Sequence, residues 1–182
     1  MIRTINVLMD FSKAFGNVKY SLLGRKLKSL NMGPFTVNWY LNFFKDRSQR
    51  LVVRGSTYQW RGVNKGPTQG SVSGPHLFNL FINEQDIAKN ELNHLVKYAD
   101  DIAILVKECK WNEQSINEII HQYFTWSTIN HMQCNTAKCQ EFVAQKKNKT
   151  YTVPVNGLKQ VNKLLKILGV TFQENNKFNE RV

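Results

Sequence analysis

Three carboxylates stand where a chain folded around a sheet could pool them: Asp10, and the pair Asp100-Asp101 some 90 residues further on. Asp10 closes a run in which Ile5, Val7 and Met9 alternate with Asn6 and Leu8, the pattern of a largely buried strand. Asp100-Asp101 interrupt the apolar residues 95–106, the pattern of a hairpin with an acidic tip. Bare carboxylates gathered at one point repel, and at least one of their pKa values must rise. Such a cluster makes physical sense when hard cations, which take oxygen ligands, fill it. Two divalent cations about 3.5–4 Å apart can acidify an attacking hydroxyl and steady a polyphosphate leaving group. Each carboxylate also has a plainer reading by itself. Asp is favoured in tight turns because it bonds locally to the backbone, and Asp10 could cap a helix or sit in a loop.

The elements that must position these groups follow from apolar spacing. Val18, Leu22, Leu23, Leu27 and Leu30 form a helical stripe that Gly33-Pro34 breaks. A second helix follows, with Phe35, Trp39, Phe43 and Phe44 at helical spacing. Residues 50–54, the Gly55-Ser56 turn and residues 58–63 form a hairpin. A glycine-rich stretch, 62–74, leads into a helix through Leu77, Leu80, Phe81 and Ile87. Ile116, Ile119, Ile120, Tyr123, Phe124 and Ile129 make an amphipathic helix, and short strands are expected around 141–144, 151–155 and 167–172. Strand, helices, hairpin, helix, hairpin, helix and strands in that order predict an α+β fold, an antiparallel sheet with helices packed on one face.

Composition narrows the function classes. The 182 residues suit one domain, and 42% apolar with 12% aromatic residues is enough for a core. Lys plus Arg is 25 against 13 Asp plus Glu, a net charge of +12. The usual partners of such a surface are nucleic acids or anionic membranes; a solvated basic face is the plainer alternative. No apolar run reaches the ~18–20 residues of a transmembrane helix, and residues 1–9 make a poor signal peptide. Cys109, Cys134 and Cys139 are odd in number and lack paired spacing, which argues against a disulfide framework and fits a reducing compartment, nucleus or cytoplasm. His131, Cys134 and Cys139 have no second ligand cluster to complete a zinc site. Asn148-Lys149-Thr150 matches a glycosylation acceptor, a chance match without a secretory signal.

Five segments then carry a resemblance. They are Asp10-Phe11-Ser12-Lys13-Ala14-Phe15; Gln69-Gly70-Ser71-Val72 with Gly74-Pro75 and Leu77-Phe78-Asn79-Leu80-Phe81-Ile82-Asn83; Tyr98-Ala99-Asp100-Asp101; Asn135-Thr136-Ala137-Lys138-Cys139; and Leu168-Gly169-Val170. In this order they resemble motifs A to E of the reverse transcriptases of non-LTR (LINE-type) retrotransposons. The resemblance implies the palm of a right-hand polymerase across residues 1–175, with 176–182 a truncated tail. It implies RNA-directed DNA synthesis by two-metal nucleotidyl transfer with Mg²⁺ (or Mn²⁺), on an RNA template with a DNA primer and deoxynucleoside triphosphates. It also implies roles. Asp10 and Asp100 would hold the metals, with Asp101 an accessory carboxylate of the same site. Phe15 would lie beneath the incoming sugar and exclude a 2′-hydroxyl, with Phe11 also on the substrate side. Gln69 and Gly70 would contact the nascent pair and template. Lys138 would approach the pyrophosphate.

The sequence departs from that family in three respects. Gly16 stands where a second Asp usually follows the motif A aromatic. Gly66-Pro67-Thr68 replaces a usual Gly-Val-Pro run, and Ser73 stands where a large apolar residue is usual. The chain begins almost at motif A and ends at Val182, so fingers and thumb are expected to be largely missing. These departures keep a second expectation open, a catalytically inactive nucleic-acid-binding relic or gene fragment.

Overall fold

A computed structural model describes residues 3–87, 91–108, 115–144, 158–161 and 164–173. In chain order the elements are β1 (Arg3–Met9), α1 (Ala14–Asn17), α2 (Tyr20–Ser29), α3 (Pro34–Phe44), β2 (Ser48–Gln49), β3 (Val52–Val53), β4 (Ser56–Thr57), β5 (Arg61–Gly62), α4 (Ser73–Ile82), β6 (Asn93–Tyr98), β7 (Asp101–Glu108), α5 (Ile116–Ile129), β8 (Gln140–Ala144), β9 (Lys159–Gln160), β10 (Leu164–Ile167) and β11 (Val170–Gln173). The fold is α+β, as the spacing predicts. The chain divides into two compact units. One comprises residues 1–12, 85–128 and 134–182, the other residues 13–84 and 129–133.

The first unit is built on a five-stranded sheet in the order β6-β7-β1-β8-β9. All neighbours are antiparallel except the β8–β9 pair. Alternation along β1 buries Ile5, Val7 and Met9, and the register sets them directly opposite Val106, Ile104 and Ile102 of β7. Each buried side chain of this size is worth about 1.5–3 kcal/mol of apolar transfer, so the six fix the register: a slip of one residue would turn all three β1 residues to the other face. Helix α5 adds Ile116, Ile119, Ile120 and Tyr123 to the buried set. Its start is a capping box. Ser115 Oγ accepts the Glu118 N–H at 3.3 Å, and Glu118 Oε2 accepts the Ser115 N–H at 3.1 Å. Strands β10 and β11 form a separate hairpin whose turn is Leu168-Gly169. The single strand expected over 167–172 is therefore interrupted: Ile167 ends β10, Leu168-Gly169 turn the chain, and only β11 continues through the rest. Both turn residues have positive φ, 49° and 82°, and an apolar Leu at a turn position conceals the break from a hydropathy pattern. The strand expected over 151–155 lies outside the described residues.

The second unit packs α2 against α3 and α4. Gly24 of α2 is buried, and a Cβ placed there would come within 3.1 Å of the Leu41 side chain on α3, so the two helices approach closely at that point. Pro34 opens α3 at its first turn, where a missing N–H costs nothing. Lys26 of α2 is buried, lies 4.6 Å over the Phe81 ring and pairs with Glu84. Burial first, opposed by the Glu84 pairing, holds its ammonium pKa below the ordinary lysine value. Helix α4 ends at Ile82, short of the Ile87 expected to lie on it. The Asn83 N–H turns back to the Leu80 carbonyl at 3.4 Å, and Ile87 belongs to the first unit. The expected hairpin over 50–63 is present as two nested ladders, β2 with β5 and β3 with β4, but its turn is Arg54-Gly55 rather than Gly55-Ser56, because Ser56 pairs with Val53 and both turn residues take positive φ.

Candidate active site

Strand β1 delivers Asp10 to the first residue beyond its ladder, beside the turn that joins β6 to β7. That turn is tight: Tyr98 pairs with Asp101, leaving Ala99 and Asp100 as the two central residues, with Ala99 at φ 51°. Asp101 is thus the first residue of β7, on the same face as Ala103, which pairs with Leu8 of β1. Asp10 and Asp101 line one cleft over that face, together with Leu8, Val96, Tyr98, Lys138, Gln140 and Lys166. Asp100 occupies the turn and is not part of the lining.

The segment after α5 is tied onto Asp10 by its backbone. The Asn135 N–H donates to the Asp10 carbonyl at 2.9 Å, and the Asn135 carbonyl accepts from Lys138 and Cys139 at 2.9 and 3.1 Å. This small turn brings the Lys138 ammonium to 3.8 Å from Asp10 Oδ2. The contact is an ion pair too long for a hydrogen bond, and Oδ2 is otherwise buried with no hydrogen-bond partner. Burial, then the charges of Asp100 and Asp10, hold the Asp101 carboxyl above its ordinary pKa; Lys138 pulls it the other way. Asp101 therefore lies within electrostatic reach of both other carboxylates.

An orphaned carboxylate oxygen beside mutually repelling acids is a donor set that fits a hard cation. Among the described residues no three His, Cys, Asp or Glu side chains come together in a group able to hold a metal ion by themselves. Small hard cations of nucleotide enzymes need no such cage, since one or two carboxylates, water and substrate phosphates suffice.

The remaining predicted residues are distributed as follows. Phe11 is only 3% exposed and its ring stacks on Tyr123 at 5.4 Å, so it stands in the core of the first unit. Phe15 is half-buried and stacks on Phe78 at 4.2 Å in the second unit. Gln69 and Gly70 are exposed in the same unit, just before Ser71, whose hydroxyl accepts the Gly74 N–H at 3.0 Å in the first turn of α4. Lys166 and Gln140 line the cleft unannounced by any motif. The clue for Lys166 was its place as a cation between apolar residues in 164–167.

The arrangement is that of a polymerase palm: a sheet whose central strand ends in Asp beside an acidic hairpin. Telomerase from Candida tropicalis, solved with a fragment of telomeric RNA, shares the fold with a TM-score of 0.68 over 98% of this chain and 30% of its own, at 9% identity. Residues 3–172 match the family described as reverse transcriptase (RNA-dependent DNA polymerase), and the chain belongs to that family. Its relatives are of the non-LTR retrotransposon type. The RNA-directed DNA polymerase from mobile element jockey of Drosophila funebris is 27% identical over 140 residues, 72% of this chain and 15% of that protein. Its counterpart from Drosophila melanogaster is 24% identical over 197 aligned positions, 98% of this chain and 20% of that protein. The chain thus spans about one fifth or less of the length of these relatives. Among the described residues no helix is long and apolar enough to cross a membrane.

Proposed function

We infer that this chain carries the catalytic corner of an RNA-directed DNA polymerase, with Asp10, Asp100 and Asp101 holding two Mg²⁺ ions. The observation that supports it most is the convergence of Asp10, Asp101 and Lys138 on one cleft from three sequence-distant segments. When bound, the ions would acidify the primer 3′-hydroxyl and neutralise the triphosphate. The protein's own groups do the rest. Asp10 and Asp101 orient ligands at the cleft floor, and Asp100 reaches the same ions from the adjoining turn. Lys138, already drawn to Asp10, supplies a cation toward the departing pyrophosphate. Phe15 excludes a 2′-hydroxyl, with Phe11 supporting the site from the core, and Gln69 and Gly70 meet the template pair. The partners are an RNA template, a DNA primer and deoxynucleoside triphosphates, and residues 1–175 act as one palm domain.

Primer extension on an RNA template in Mg²⁺ or Mn²⁺ tests the reading. Asp10→Asn and Asp101→Asn are each expected to lower extension by at least about 100-fold, the scale of losing one electrostatic contact to a transition state. Extension unaffected by either change refutes the assignment. Gly16, in the place of a family carboxylate, favours a second reading, nucleic-acid binding without synthesis. A chain that binds primer–template at low salt yet extends no primer with either metal identifies that one.

A further inference from the structure

The hairpin of residues 48–62 is built unlike the rest of the second unit. Every residue of it is a surface residue, including Leu51, Val52, Val53, Tyr58 and Trp60. No Asp or Glu occurs anywhere between positions 47 and 83, while Arg50, Arg54 and Arg61 all fall within the hairpin. A hairpin with only four short ladder pairs among its inner and outer rungs gains little from folding by itself. Its exposed apolar and cationic side chains are therefore better explained by a ligand than by the core.

The geometry points to a single-stranded polynucleotide as that ligand, held on a stacking platform of Trp60 and Tyr58 with Arg50, Arg54 and Arg61 on its phosphates. Three features carry this. Trp60 is 61% and Tyr58 58% exposed, so both rings offer faces to unstacked bases, which duplex nucleic acid does not present. The outer ladder pairs Ser48 with Gly62 and Gln49 with Arg61, the inner one Val52 with Thr57 and Val53 with Ser56. Between them the second arm holds one residue more than the first, a bulge of the kind that re-aims side chains, and it falls within Tyr58-Gln59-Trp60. Across it the Arg50 guanidinium lies 4.8 Å from the Trp60 ring, which holds the indole in place and sets a phosphate-binding fork beside it. The unbroken positive charge selects a polyanion over an apolar peptide. The inference goes beyond the polymerase reading and does not use its carboxylates.

The test measures binding of a fluorescein-labelled single-stranded RNA 12-mer to the full chain by anisotropy, in EDTA and without nucleotides. Trp60→Ala is expected to weaken binding about 5- to 150-fold, the range for losing one base stack, while Trp60→Phe keeps most of it. The triple variant Arg50→Ala, Arg54→Ala, Arg61→Ala is expected to make the log–log salt slope shallower by about 2. Asp101→Asn, which tests the polymerase reading, should leave this binding in place. Because Trp60 is exposed, its variants keep the far-ultraviolet spectrum of the parent. Equal affinity of the parent and Trp60→Ala overturns the proposal. So does binding of phosphatidylserine vesicles by a chain that ignores the RNA.

Discussion

Gly66 offers the sharpest test of how the second unit is held together. Its φ is +84°, and a Cβ there would sit 3.0 Å from both the Phe15 carbonyl oxygen and the Gly16 Cα. Those atoms are backbone and cannot swing aside. Nor can Gly66 retreat, because its N–H donates to the Val18 carbonyl at 2.8 Å and its own carbonyl accepts the Tyr20 hydroxyl at 2.9 Å. In Gly66→Ala the left-handed backbone costs about 1–2 kcal/mol, and the crowding adds about 1–3 kcal/mol. At about 2–4 °C per kcal/mol for a chain of this size, Tm should fall by about 4–20 °C. Gly55 separates the two contributions: its φ is +81°, with nothing within 4 Å of a Cβ. Gly55→Ala should therefore carry the backbone cost alone, about 2–8 °C. Thermal unfolding of both variants, followed by circular dichroism, decides the matter. Equal losses would refute the close-contact argument, and no loss in either would refute the backbone argument as well. The same clamp holds the approach to Gln69-Gly70 onto the segment bearing Phe15, so the variant should also weaken any template contact made there.

Other consequences can be checked separately. Burial, with Cys134, Cys139 and Asp10 nearby, pushes the Tyr123 phenol above its ordinary value of 10.0. A raised folded pKa means its stabilisation is complete below pH 10 and lost as pH climbs past it; the urea midpoint should fall between pH 8 and pH 11 more steeply in the parent than in Tyr123→Phe, and parallel falls would contradict this. Glu84→Gln leaves the buried Lys26 ammonium without its carboxylate and should cost about 1–2 kcal/mol, a buried-pair penalty reduced by Glu84's half exposure. Lys26→Met, which removes the charge and keeps an apolar stem over Phe81, should cost less in the same urea titration; the reverse order would defeat the argument. On α3, Trp39 and Phe43 stack at 5.8 Å on an exposed face that also carries Phe35. Such a patch favours association, so Trp39→Ser combined with Phe43→Ser should lower the mass seen by light scattering, and a monomeric parent at high concentration would rule this out.

Much of the site was legible because its signals are local. Alternation in β1 pointed to a buried strand ending at Asp10, and apolar residues flanking Asp100-Asp101 pointed to the β6–β7 hairpin. Both elements occur at those places. The boundaries were harder. Ile87 suits a longer α4 by spacing, yet its burial belongs to the other unit. Leu168 suits a continuous strand by hydropathy, yet it turns the chain.

The sequence by itself determined the fold class, the excess of positive charge and the family, because these rest on composition, on apolar periodicity and on short motifs in a fixed order. Tertiary structure alone decided which acids share a cleft. Turn parity seats Asp101 on the face of Leu8 and Ala103 and leaves Asp100 in the bend. Side chains alternate every residue along a strand, so one residue of register exchanges their roles. Likewise Lys138 meets Asp10 only because Asn135 is tied to the Asp10 carbonyl. That contact spans well over a hundred residues of chain, and no local pattern encodes it.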